Sequence, residues 1–110
     1  MKFENFLREK ISVYSVEVNK LISDSINIEE QSYRSAIQKL MLVGNIIEEN
    51  EVENCIVLSI REGALKLNTA FVALKIDREK VYMIGYAKEG LIKQNTCKKA
   101  FRVIKEALEK

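Results

Sequence analysis

The sequence predicts an α+β protein: a two-helix N-terminal hairpin packed on a three-stranded antiparallel meander, followed by a C-terminal helix, in the order α-α-β-β-β-α. Three observations predict it. Apolar residues recur at helical spacing through the first half of the chain. Between Asn54 and Lys88 there are three short, nearly continuous apolar runs, parted by charged or glycine-bearing breaks. From Cys97 to Leu108 the helical spacing returns. At 110 residues the chain has room for a single α+β domain, spanning 1–110, with one core.

Phe3, Leu7, Ile11, Tyr14, Val18 and Leu21 recur at steps of four, four, three, four and three. That stripe predicts a helix from Phe3 to Ile22. Ile11 to Val16 also alternates as a strand would, but the stripe is the longer pattern. Ser23 to Asn27 is a polar break, and Asn27 followed by Glu30 has the form of a capping box, so a second helix is expected from near Ile28. Tyr33, Ile37, Leu40, Met41 and Ile47 share its face. Its end is expected between Glu48 and Glu53, where four glutamates oppose the helix dipole. Two such helices joined by a short loop pack as an antiparallel αα-hairpin.

Asn54 to Arg61 fits a helical face through Val52, Cys55, Ile56, Ser59 and Ile60. Its short apolar run, rich in β-branched residues and bounded by charges and Gly63, favours a buried strand. Two further strands are expected near Leu67–Ile76 and Lys80–Lys88, joined by the charged turn Asp77-Arg78-Glu79-Lys80. Gly85 inside the last strand marks a bulge or a close backbone approach. Asn95 and Thr96 offer a cap to the final helix. There Cys97, Phe101, Ile104 and Leu108 face one way, and Lys98, Arg102 and Lys105 line another face. Val72, Leu74, Ile84, Phe101 and Ile104 are expected to form much of the core.

Composition narrows the function. With 47% apolar and 31% charged residues the chain is that of a soluble globular protein. Its apolar runs are too short for a membrane span, and the N-terminus has no signal-peptide core, so a cytoplasmic location is expected. Histidine is absent, which removes the commonest acid–base group near neutral pH. Cys55 and Cys97 stand far apart with no CxxC, and read as small buried hydrophobes. Cys97 at a helix start beside Lys98 and Lys99 is the one nucleophile worth naming, since the dipole and the cations favour thiolate. Glu48, Glu49, Glu51 and Glu53 lack the glycine-turn spacing of a calcium loop. No phosphate-binding glycine motif occurs. No catalytic set, cofactor or metal is expected.

Charge distribution carries more. From Asp24 to Asn54 there are seven acids and two bases; from Arg61 to the end there are twelve bases and six acids. The basic half holds Lys93, Lys98, Lys99, Arg102 and Lys105, a surface suited to an acidic partner or nucleic acid. Three strands followed by a helix opening Asn95-Thr96-Cys97-Lys98-Lys99-Ala100-Phe101 resemble the tail of a double-stranded RNA-binding domain. The resemblance covers about the last third of the chain. It implies that Lys98 and Lys99, matching that family's lysine pair, reach phosphates.

The first expectation is therefore a small non-catalytic protein-interaction module: a regulator, an adaptor or a toxin-neutralising (immunity) protein. Val13, Val16, Val43 and Ile46 lie off the main stripes, so a homodimer through the αα-hairpin is expected. The alternative is RNA binding through the basic face of the last helix.

Overall fold

The computed structural model describes residues 2–14, 17, 20–62, 68–88 and 95–110. Within them the chain runs α1 (Glu4–Ser12), β1 (Ile22–Asn27), α2 (Tyr33–Met41), β2 (Asn45–Asn50), β3 (Cys55–Glu62), β4 (Asn68–Asp77), β5 (Lys80–Ala87) and α3 (Thr96–Leu108). The strands form one antiparallel sheet in the order β1-β5-β4-β3-β2. The three-stranded meander is present as β3-β4-β5, but it is the middle of a five-stranded sheet. The N-terminal αα-hairpin is not formed. α1 covers only the first half of the expected Phe3–Ile22 helix and β1 occupies the expected polar break, while the second expected helix is a short helix, α2, and an edge strand, β2, so the hairpin surface assigned to a dimer is not formed.

Core placement explains this correction. Alternate residues of the central strands face opposite sides of the sheet. Ile56, Leu58, Ile60, Val72, Leu74, Val81 and Met83 face α2 and α3 in the larger core. Cys55, Val57, Ala73 and Ile84 face α1, where Leu7 and Ile11 cover them. Ile84 thus belongs to the second core, whereas Val72, Leu74, Phe101 and Ile104 lie in the first. Tyr14 and Leu21 pack on the α1 side as well, although the helix has ended at Ser12. The same burial demand thus carries the stripe past the helix and makes it look continuous. Val18 and Val16 lie outside the described residues.

The second helix starts later than the capping-box pattern implied. Asn27 closes β1, and the cap of α2 is Ser32, whose side chain accepts from Ser35 N–H at 3.1 Å. Tyr33, Ile37 and Leu40 do share the core face, but Met41 is exposed and Ile47 belongs to β2. Val43 and Ile46 pack against the larger core, so they are not surplus, while Val13 is 70% exposed. The glutamates expected at a helix end lie on β2 and in the turn after it.

Of the region from Asn54 to Arg61, Cys55 to Arg61 is strand, paired throughout with β4, while Asn54 closes the preceding turn at φ 51°. The turn between β4 and β5 is a two-residue loop closed by Asp77 and Lys80, with Arg78 at φ 59°, the positive φ that a primed hairpin turn requires. Gly85 is a close approach rather than a bulge. A Cβ there would stand 2.6 Å from Cys97 Sγ and 2.9 Å from Phe101 Cε1, so only glycine lets α3 settle on β5.

Candidate groove between β1 and α3

α3 lies over β3, β4 and β5 and reaches β1 at the sheet edge. Its strong apolar stripe, from Cys97 through Ala100, Phe101, Ile104, Ala107 and Leu108, is buried. Both ends are tied down. Buried Thr96 accepts a hydrogen bond from Asn68 Nδ2 at 3.1 Å. At the other end Leu108 C=O accepts from Gln31 Nε2 at 3.0 Å, and Gln31 Oε1 accepts from Lys39 Nζ at 2.9 Å. Asn95 stands at the N-cap position, but its backbone is left-handed (φ 53°, ψ 43°) and its side chain caps no helix N–H.

Where α3 overhangs the edge strand there is a groove of about 340 Å³. The strand contributes Ile22, Ser23, Asp24 and Ile26, and the helix contributes Lys98, Phe101, Arg102 and Lys105. Ile26 and Phe101 are buried, Ile22 is half-buried, and the three basic side chains are exposed along one wall. An apolar floor with a cationic wall suits a segment that combines both characters. Among the described residues, Lys105 has a loose ion pair with Glu109 at 4.0 Å, while Lys98 and Arg102 are paired with no carboxylate. Such a solvated pair adds little, so the wall stays cationic.

The structure thus gathers three of the five basic residues expected from the sequence. Lys99 is exposed on α3 but does not line the groove. Lys93 lies outside the described residues. The four β1 residues are not among the candidates from the sequence, because Ile22 reads as a helix end and Ser23 to Asn27 as a polar break. The alternation of Ile22, Ile26 and Ile28 at even spacing was the available signal.

The other candidates have different settings. Cys97 is buried with its Sγ against Gly85, a packing position. Cys55 is buried under α1, and burial pushes its thiol pKa up, with lesser opposing and reinforcing charges from Lys10 and Glu48. Neither cysteine is in a disulfide. The glutamates do not converge: the β2–β3 register turns Glu48 toward the α1 side and Glu49 toward the other. Among the described residues no group of His, Cys, Asp and Glu is gathered as a metal site. No helix among them is long and apolar enough to cross a membrane.

No protein-family model, no curated protein and no solved structure matches the chain.

Proposed function

We propose that the chain acts by binding, as a protein-interaction module that holds an acidic segment of a partner protein in the groove between β1 and α3. One observation carries the reading. Lys98, Arg102 and Lys105 form one wall over an apolar floor of Ile22, Ile26 and Phe101. A cationic wall steers acidic partners and sets their register, and the floor supplies area to bury. The roles of regulator, adaptor or immunity protein all fit such a surface.

A second reading keeps RNA as the ligand, because Lys98 and Lys99 are both exposed in the first turn of α3. Phosphate contacts alone leave the apolar floor unused, which favours the protein partner.

Selection from a displayed library of random twelve-residue peptides tests the first reading, with the Lys98→Glu/Arg102→Glu variant as counter-target. The expected result is enrichment of acidic sequences that the variant fails to hold. Enrichment of sequences that bind both proteins alike, or none at all, overturns it. Salt-dependent retention of duplex RNA by the parent alone, with no acidic peptide selected, replaces it with the second reading.

A further inference from the structure

We infer that the acidic segment enters as an added strand on the free edge of β1, and that Asp24 guards that edge until it arrives. The inference rests on the groove being a docking site for an acidic segment, and it specifies how the segment is held.

Among the described residues β1 is an edge strand, paired on one side only. In an antiparallel strand, successive residues turn their N–H and C=O groups to alternate sides. Just beyond β1, Ile28 N–H donates to Glu79 C=O at 2.8 Å, across the β5 side. The even-numbered residues of β1 therefore bond to β5, and Ser23, Ser25 and Asn27 turn their backbone groups to the open edge. The pairing with β5 runs from Ile22↔Gly85 to Asn27↔Lys80 without a bulge. The outer edge is thus a regular template for another strand.

One of those outward groups is already occupied. Ser25 N–H donates to Asp24 Oδ1 at 2.8 Å. The carboxylate stands where an added strand would place a backbone carbonyl. Among the described residues it is also the one carboxylate lining the groove, and it repels an acidic segment. An edge blunted by a local acid stays soluble, and a partner with enough charge and backbone donors and acceptors displaces that acid.

The helix is set to read such a strand. Ile22 at the start of β1 and Lys98 near the start of α3 line the same groove, and Gln31, past β1, bonds Leu108 at the end of α3, so β1 and α3 run side by side in one direction. Lys98 and Arg102 are about 6 Å apart along the helix axis. Residues on one face of a strand recur about every 6.6–6.8 Å. A segment acidic at alternate positions therefore meets successive cations of the wall. A phosphate can accept from one outward amide, but nucleic acid does not match the regular alternation of N–H and C=O groups along the edge.

The test uses the full chain and a fluorescent ten-residue peptide alternating glutamate and valine, read by anisotropy at low salt. Two isomers carry N-methyl groups on one or the other set of alternate residues, so that each spoils one edge of the peptide. The expected result is binding of the parent peptide and of one isomer, with about tenfold weaker binding of the other. Arg102→Glu is expected to weaken binding about tenfold, and Asp24→Ala to tighten it about threefold. Both side chains are exposed, and circular dichroism checks that each variant is folded. No binding of the parent peptide, equal binding of both isomers, or weaker binding by Asp24→Ala overturns strand addition. The displayed-library selection stands apart: acidic sequences enriched there, with both isomers binding alike here, leave the groove as a docking site and remove only the added strand.

Discussion

The two edges of the sheet face the same hazard and meet it differently. β2 is broken by an irregularity between Ile46 and Glu48, which leaves Ile47 unpaired and partly exposed. Glutamates follow on both faces, and Glu48 reaches Lys10 of α1 at 3.9 Å. A bulge and charges of one sign make a poor template, so this edge is closed by construction. β1 has no bulge, and a helix wall of opposite charge overhangs it. Among the described residues its one block is the Asp24 carboxylate on the Ser25 amide, an exposed side chain that a rotation removes. One edge is permanently shut and the other is latched, and a latched edge beside a cationic wall is what a docking site for a strand needs.

The largest expected effect falls on the β1 side. Gly85→Ala places a methyl group 2.6 Å from Cys97 Sγ and 2.9 Å from Phe101, which must lift α3 from β5. Overpacking of that kind costs about 1–3 kcal/mol. Denaturant unfolding should place this variant at the upper end of that range. Cys97→Ala added to it should recover part of the loss, since it removes the nearest clash and leaves Phe101 Cε1 at 2.9 Å and the Phe71 carbonyl oxygen at 3.1 Å. Full stability of the single variant would mean that α3 sits more loosely over the edge than described, and the groove with it.

The contrast itself can be inverted. Deleting Ile47 and replacing Glu49 by Thr removes the irregularity and one acid from β2 while keeping the neighbouring pairs in register. Sedimentation velocity should then show concentration-dependent association stronger than the parent's by about tenfold, equivalent to about 1.4 kcal/mol. Identical profiles for the two proteins would show that bulge and charge are not what closes this edge.

Alkaline pH separates the edges more gently. Burial raises the Cys55 thiol above its ordinary 9.0, and Cys55 pairs with Asn50 of β2. Burial and then Glu48 raise Tyr14, and burial and then Glu49 raise Tyr33. Each folded pKa lies above the unfolded one, so the native state holds protons that the unfolded chain releases. The stability they contribute is complete below pH 9 and falls as pH rises through the folded values. Burial and then Glu17 raise Tyr86 in the same way, so the loss is not confined to one side. Hydrogen exchange across pH 8 to 10 should nonetheless show β2 amides losing protection ahead of β1 amides. Cys55→Ala should flatten the onset near pH 9, and an unchanged slope would remove the thiol as its cause.

The same contrast marks what could be read from sequence. β3, β4 and β5 were legible because both faces are covered, so each strand is a near-continuous apolar run. α3 was legible because one buried face and one solvated face give a clean helical period. β1 and β2 were not. A half-covered edge strand has few buried residues, and in β1 only Ile26 is buried. Around them, Tyr14 and Leu21 kept the helical phase of α1 because they serve the same core, and Ile47 kept that of α2 by coincidence of spacing. The basic wall was visible in Lys98, Arg102 and Lys105. The strand it overhangs was not, because an edge is defined by what fails to pair with it.

Register decides which groups of β1 face outward, and the β4–β5 turn helps to set it. Its two-residue loop fixes Asp77 opposite Lys80, which fixes β5 and, through β5, the Ser25 amide at the open edge. Arg78 holds a positive φ of 59°, where a side chain strains the backbone and glycine does not. Arg78→Gly should therefore stabilise the hairpin by up to about 1 kcal/mol, the cost of left-handed geometry, less glycine's larger loss of freedom on folding. Thermal unfolding should rise by a few degrees, with amide protection increased in β5 and at the β5-facing residues of β1. If the variant is less stable, Arg78 contributes contacts that outweigh its strain. The outward register of Ser25 would then depend on pairing with β1 itself rather than on the turn.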